Sequence, residues 1–162
     1  MKYLLLSILV LFVLGCQPKS SSKQPNKASN NKAVKPKGAK VITILCDGET
    51  MMDMKYSVAK IEALAGEELK IILVNNAKDL SMMHNIVFVK KGSTNKVGMA
   101  GMKAGKTENY VPDLPEVIAA SDLAGPGKKV ELIFTAPLKG NYEFVCTYPG
   151  HHLNMKGEFV VY

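Results

Sequence analysis

The chain has 162 residues and a mass of 17.6 kDa, and 47% of it is hydrophobic, which suits one ordinary domain with an apolar core and excludes two large ones. Its formal charge of +7 would fit a nucleic-acid or membrane-surface binder, but eight of the 21 basic residues lie in residues 1–40, where no acid occurs, leaving residues 41–162 at −1. Every basic residue is Lys, so the guanidinium fork that reads base edges is absent and no nucleic-acid partner is expected.

The chain opens with Lys2 and an apolar run from Tyr3 to Leu14 broken only by Ser7. That run is too short to cross a bilayer and reads as a secretory signal over residues 1–15. The segment Val13-Leu14-Gly15-Cys16 resembles the lipobox of bacterial lipoproteins. The resemblance implies a lipid on Cys16, a membrane anchor, and an exported protein of the bacterial envelope, facing the periplasm or the cell surface. Residues 17–40 are almost all Ser, Asn, Lys, Pro and Ala, with seven Lys and no apolar periodicity. Such a segment cannot bury enough surface to offset its ordering entropy, so a disordered tether is expected. Its root-mean-square reach would be on the order of 25–30 Å.

From residue 41 the texture changes. Short runs rich in Val, Ile, Leu, Phe and Tyr predict strands at Val41–Cys46, Lys55–Ile61, Glu68–Asn75, Asn85–Lys90, Val130–Thr135, Tyr142–Cys146 and Gly157–Tyr162. Turn residues separate them, among them Asp47-Gly48, Asn75-Asn76 and Lys139-Gly140-Asn141. Strands at this spacing predict an all-β, antiparallel sandwich as one domain over residues 41–162. Between Gly92 and Gly127 the pattern breaks, and an excursion with short helices around Lys96–Lys103 and Pro115–Asp122 is expected.

Chemistry concentrates between the last two strands, in Cys146-Thr-Tyr-Pro-Gly-His151-His152-Leu-Asn-Met155. A soft thiolate, an imidazole and a weak thioether in one tight loop can surround a single point. With a second imidazole, for which His84 is the candidate, that donor set suits copper in a blue electron-transfer site. A Cys-His hydrolase built on Cys146 and His151 would lack an orienting group and leave Met155 unexplained. Structural zinc usually takes more Cys and no Met.

These residues resemble the cupredoxins of the azurin type. The Cys-x4-His-x3-Met spacing is that of azurin-like proteins, and His84-Asn85, Val117-Ile118-Ala119, Leu123, Gly125, Gly127 and Leu132-Ile133-Phe134 match as well. Gly98-Met99 matches more loosely, and auracyanins and the azurin-like modules of bacterial surface proteins are similar in kind. The resemblance implies a Greek-key β-sandwich holding one type 1 copper, with His84, Cys146 and His151 as equatorial ligands and Met155 as the axial one. It implies that Asn85 bonds the loop around Thr147, and that an edge of His151 is exposed through an apolar docking patch of Leu80, Met82, Tyr148, Pro149 and Leu153, joined by Met99 or Met102. The implied role is non-enzymatic: single-electron transfer with redox proteins such as c-type cytochromes or a terminal oxidase or reductase. The alternatives are a copper storage or delivery module for an envelope oxidase and an adhesive scaffold.

Three departures accompany the match. Met83 stands where azurins have a Gly whose carbonyl oxygen approaches the metal, and a side chain there alters that approach. Ile86 replaces a buried Trp, and Cys46 lacks the disulfide partner that azurins place near Gly66. Cys46 is then either a small buried hydrophobe or a free reactive thiol, the former being the expectation. His152 is expected to face solvent, and Met51, Met52 and Met54, with Met83, to fill core or patch.

Overall fold

A computed structural model of the protein describes residues 38–162. The expected signal segment, Cys16 and all of the tether before Gly38 lie outside the described residues. Nine strands, β1 (Lys40–Asp47), β2 (Lys55–Tyr56), β3 (Lys60–Ala63), β4 (Glu68–Asn75), β5 (Val87–Lys90), β6 (Val117–Ala120), β7 (Lys129–Thr135), β8 (Gly140–Val145) and β9 (Lys156–Val161), form two sheets. One has the order β2-β1-β4-β7 and the other β3-β9-β8-β5-β6. One helix, α1 (Thr94–Ala104), lies between β5 and β6.

Period-two patterning drives the packing. In β4 the residues Leu69, Ile71 and Leu73 point inward and are fully buried, while the residues between them are half-buried. They meet Phe88, Phe144 and Phe159 of the opposite sheet, and Phe88 lies with ring centroids 4.6 Å from Phe134 and 5.1 Å from Phe159. Ile86 is fully buried in the same core, and the aromatic volume comes from these Phe residues instead of a Trp.

The sandwich is not purely antiparallel. β1 runs parallel to β4 and β3 runs parallel to β9, whereas the remaining pairs are antiparallel. The cause is the segment predicted as one strand over Lys55–Ile61, which breaks into β2 and β3 on different sheets. Ser57 makes the corner: its N–H donates to the Leu45 carbonyl at 2.8 Å and its hydroxyl accepts the Leu45 N–H at 2.9 Å. The chain crosses to the other sheet there and returns as β4 in the direction of β1, and such a crossover is what a parallel pair requires.

The helix expected around Lys96–Lys103 is α1, with one turn more. The helix expected around Pro115–Asp122 is instead the edge strand β6, paired with β5 through Val87↔Ala120, Phe88↔Ala119 and Val89↔Val117. A run this short cannot repay helix nucleation, while an open sheet edge offers partners at once.

Candidate metal centre

His84 stands where the loop after β4 rejoins the sandwich. Its N–H donates to the Ala124 carbonyl at 3.1 Å and its own carbonyl accepts the Ala124 N–H at 2.7 Å, an isolated bridge between two loops. Asn75 braces this junction from the last inward position of β4, where the alternation calls for an apolar residue. Its Nδ2 donates to Met82 O at 2.7 Å and Ala124 O at 2.9 Å, and its Oδ1 accepts the Ala77 N–H at 3.0 Å. No metal motif contains Asn75; a polar residue at an inward position is the signal that points to it.

The second half of the site is the loop leaving β8. Cys146 N–H donates to Met155 O at 2.9 Å, His151 N–H to Tyr148 O at 3.0 Å and Met155 N–H to His151 O at 2.8 Å. A 3-10 turn over His151–Leu153 completes this closed loop. Asn85 joins the two halves: its Nδ2 donates to Thr147 Oγ1 at 2.8 Å and to Asn109 O at 2.9 Å, and its Oδ1 accepts the Thr147 N–H at 2.8 Å.

These elements converge three donor atoms. His84 Nδ1 and His151 Nδ1 are 3.2 Å apart, and the Cys146 Sγ lies 3.6 Å from His151 Nδ1 and 4.0 Å from His84 Nδ1. An ion about 2.0–2.3 Å from imidazole nitrogen and thiolate would hold such donors roughly 3.5–3.7 Å apart in a trigonal plane. The observed separations bracket that value, so the donor set fits a metal ion with little movement. His84, Cys146 and Met155 are fully buried and His151 is 1% exposed.

Burial acts in opposite directions on the imidazoles and the thiol. Burial lowers the His84 pKa from 6.5 to about 4, and burial followed by repulsion from His84 and His152 lowers that of His151 to about 4. Both imidazoles are therefore neutral and offer lone pairs near pH 7. The buried Cys146 thiol is pushed up to about 11, although N–H groups of Asn85 and Tyr148 and the Tyr56 hydroxyl favour its thiolate. Near neutral pH this thiol holds its proton until a cation takes the proton's place.

The walls are packed tightly. Helix α1 approaches the ligand loop through Gly98, where a Cβ would collide with the His152 ring, and through Gly101, where it would lie 2.5 Å from Tyr110 O. On another side the Met51 ε-methyl sits 2.6 Å from the position a Gly150 Cβ would take, and Asn154 Nδ2 donates to Met51 O at 2.8 Å. The Tyr148 ring meets His151 edge-on at 4.8 Å and Tyr110 meets Tyr148 at 5.1 Å.

Three expectations for the surface are corrected. Met82 is buried and does not belong to an exposed patch, because its side chain packs into the core cluster between the sheets. His151 shows no exposed imidazole edge, since Tyr148 lies against its ring and Met51 covers the adjoining Gly150. His152 is buried against Gly98 instead of facing solvent. Leu80 and Leu153 are exposed, Met51, Met52, Met99 and Met102 are exposed too, and Tyr148, Pro149 and Met83 are half-buried. Cys46 is a buried free thiol in the core and Met54 is buried nearby.

Residues 42–162 match a family model described as copper binding proteins of the plastocyanin/azurin family. Auracyanin-A of Chloroflexus aurantiacus is 36% identical over 112 residues, which cover 67% of this chain and 68% of that protein. Outer membrane protein H.8 of Neisseria meningitidis is 37% identical over 116 residues, covering 68% of this chain and 63%, under two thirds, of that protein. The solved structure of auracyanin A from C. aurantiacus, described as a blue copper protein, aligns with a TM-score of 0.69 at 34% identity, over 77% of this chain and 100% of that one.

Proposed function

The chain belongs to the plastocyanin/azurin family of copper-binding proteins, and from that premise we propose that it is a mononuclear blue-copper carrier, shuttling single electrons between redox partners of the bacterial envelope. Its cofactor is one type 1 copper ion. In this reading Nδ1 of His84, Sγ of Cys146 and Nδ1 of His151 would hold the metal and Met155 would supply a weak thioether donor. When bound, copper supplies the one-electron Cu(II)/Cu(I) couple.

The observation that carries the reading is the convergence of two neutral imidazoles and one thiol, all at most 1% exposed, on one point. Donors held by tightly packed walls and buried hydrogen bonds leave little to rearrange between oxidation states, which is what fast electron exchange needs. Asn85 and Thr147 keep the two halves of the site in register, and Asn75 keeps the loop that delivers His84 from drifting. Cys146 releases its proton to solvent on loading. With His151 covered, partner contact falls to Tyr148, Pro149, Leu80 and Leu153, joined by Met51 and Tyr110, with redox proteins such as c-type cytochromes or a terminal oxidase as partners. Cys16 carries the lipid, and the Lys-rich tether holds the domain clear of the membrane; the outer-membrane relative supports an envelope location.

Copper addition tests this. Cu(II) added to the purified protein should give an intense blue thiolate-to-copper band and narrow copper hyperfine splitting in electron paramagnetic resonance, both lost in Cys146→Ser. A colourless product or ordinary tetragonal spectra would refute the carrier. A carrier should also keep its copper when mixed with a metal-free acceptor, whereas a delivery protein would surrender it.

A further inference from the structure

Tyr148 covers His151, and a second tyrosine packs against Tyr148 in turn. The Tyr148 ring meets the His151 ring edge-on with centroids 4.8 Å apart, and Tyr110 meets Tyr148 edge-on at 5.1 Å. Both tyrosines are half-buried, while His151 behind them is 1% exposed. Three conjugated rings therefore run in contact from the surface to a candidate metal-binding nitrogen.

The backbone is strained where it places the second ring. Asn109 and Tyr110 take left-handed conformations, at φ 50° and 57°, and are the only non-glycine residues with positive φ among the described residues. A bulky side chain adopts that conformation at a cost in free energy. Three hydrogen bonds hold it there: Asn85 Nδ2 donates to Asn109 O at 2.9 Å, Asn109 Nδ2 to Asp122 Oδ1 at 3.0 Å and Tyr110 N–H to Gly105 O at 2.9 Å. Asn85, which joins the two halves of the metal site, thus also fixes the stem of the Tyr110 ring. The hydroxyls of Tyr56, Tyr142 and Tyr162 each bond a protein acceptor, whereas those of Tyr110 and Tyr148 bond none of the described residues. The rings, and not the hydroxyls, are what this arrangement brings together.

Resting on the blue-copper reading, we propose that the Tyr110 and Tyr148 rings are the path by which electrons reach and leave the metal through His151. In the reducing direction an electron leaves a reduced redox partner, tunnels through the two rings and the imidazole, and converts Cu(II) to Cu(I); an oxidised partner recovers it by the same route. Neither tyrosine is oxidised, so no proton moves and no phenol hydroxyl is needed. Coupling falls steeply with the gap an electron must cross, and π systems in contact bridge that gap better than the saturated side chains of Met51, Leu80 and Leu153. The rings take the place of the exposed imidazole edge that the fold closes off.

A bound photosensitiser tests the path without any docking step. All three native His are buried, so a ruthenium bipyridine complex can be coordinated to a surface histidine introduced as Glu108→His, exposed two residues before Tyr110, or as Lys139→His, exposed at the end of β8 far from Cys146. Flash photolysis of the copper-loaded protein then reads the rate of transfer between label and metal. Tyr110→Leu and Tyr148→Leu should each slow transfer from position 108 several-fold and leave transfer from position 139 unchanged. Tyr110→Phe and Tyr148→Phe keep the rings and should match the unaltered protein at both positions. Where Tyr148→Leu disturbs the blue band, Tyr110→Leu, one ring removed from His151, carries the comparison. Unchanged or faster transfer from position 108 on loss of a ring overturns the path, since a ring that only covers His151 would speed transfer when removed. In the metal-free protein, nuclear Overhauser contacts should join Tyr110 to Tyr148 and Tyr148 to His151, and their absence overturns the path independently. A protein that forms no blue centre overturns the copper-carrier reading, and this path with it.

Discussion

At the scale of single residues, the site is a set of polar groups buried in the metal-free protein at an energetic cost. His84 and His151 illustrate the sign. In the unfolded chain they take up protons through about pH 6.5, but in the folded protein only near pH 4. The native state therefore binds fewer protons between these values, and the stability due to neutral imidazoles is complete above 6.5 and lost as pH falls toward about 4. The urea midpoint of the metal-free protein should fall between about pH 7 and about pH 5, and His84→Gln should flatten that dependence. A midpoint that is level across this window would contradict the burial argument. Asn75 gives a second prediction. Asn75→Ala strips partners from Ala77 N–H, Met82 O and Ala124 O and should cost about 2–4 kcal/mol in chemical denaturation. Loss of copper should quicken with it, because the loop leading to His84 is loosened.

At the scale of elements, close approach decides. Helix α1 is amphipathic enough to be legible in the sequence, yet its position against the ligand loop depends on what its glycines allow. Ala at position 98 would ordinarily strengthen a helix by up to about 1 kcal/mol. Here a Cβ meets the His152 ring, and overpacking of that kind costs about 1–3 kcal/mol. Gly98→Ala should therefore lower the melting temperature and speed copper release, whereas a rise in melting temperature would mean that the helix can step back freely. The split of Lys55–Ile61 into β2 and β3 has the same character. Its residues favour a strand throughout, and only the Ser57 pairing with Leu45 determines that the strand changes sheets.

At the scale of the whole molecule, the charge of +7 describes the chain and not its copper domain, since residues 41–162 sit at −1. Docking by that domain should be led by apolar contact. Electron self-exchange should consequently change little between ionic strengths of about 0.01 and 0.15 M. Leu153→Asp, on the exposed side of the ligand loop, should slow exchange and make it salt-dependent. A strong salt dependence in the unaltered protein would instead point to a charged docking face.

Alternating apolar runs made most of the strands readable from sequence, and β4 matches its predicted bounds because each inward side chain is apolar until Asn75. The convergence of Cys146 and His151 was readable because one short loop carries both, so local spacing alone brings them together. β6 was not readable: Val117–Ala120 has no strong preference of its own and becomes a strand because β5 leaves an edge beside it. The role of Asn75 was hidden for the same reason, since its partner Ala124 lies far along the chain. The sequence by itself determined the candidate donor chemistry, the sandwich class and the confinement of the excess basic charge to residues 1–40, all of which depend on composition and local period. Tertiary structure alone decided the parallel strand pairs, the covering of His151 and the bracing of the His84 loop by Asn75, because each depends on which distant segments share a wall.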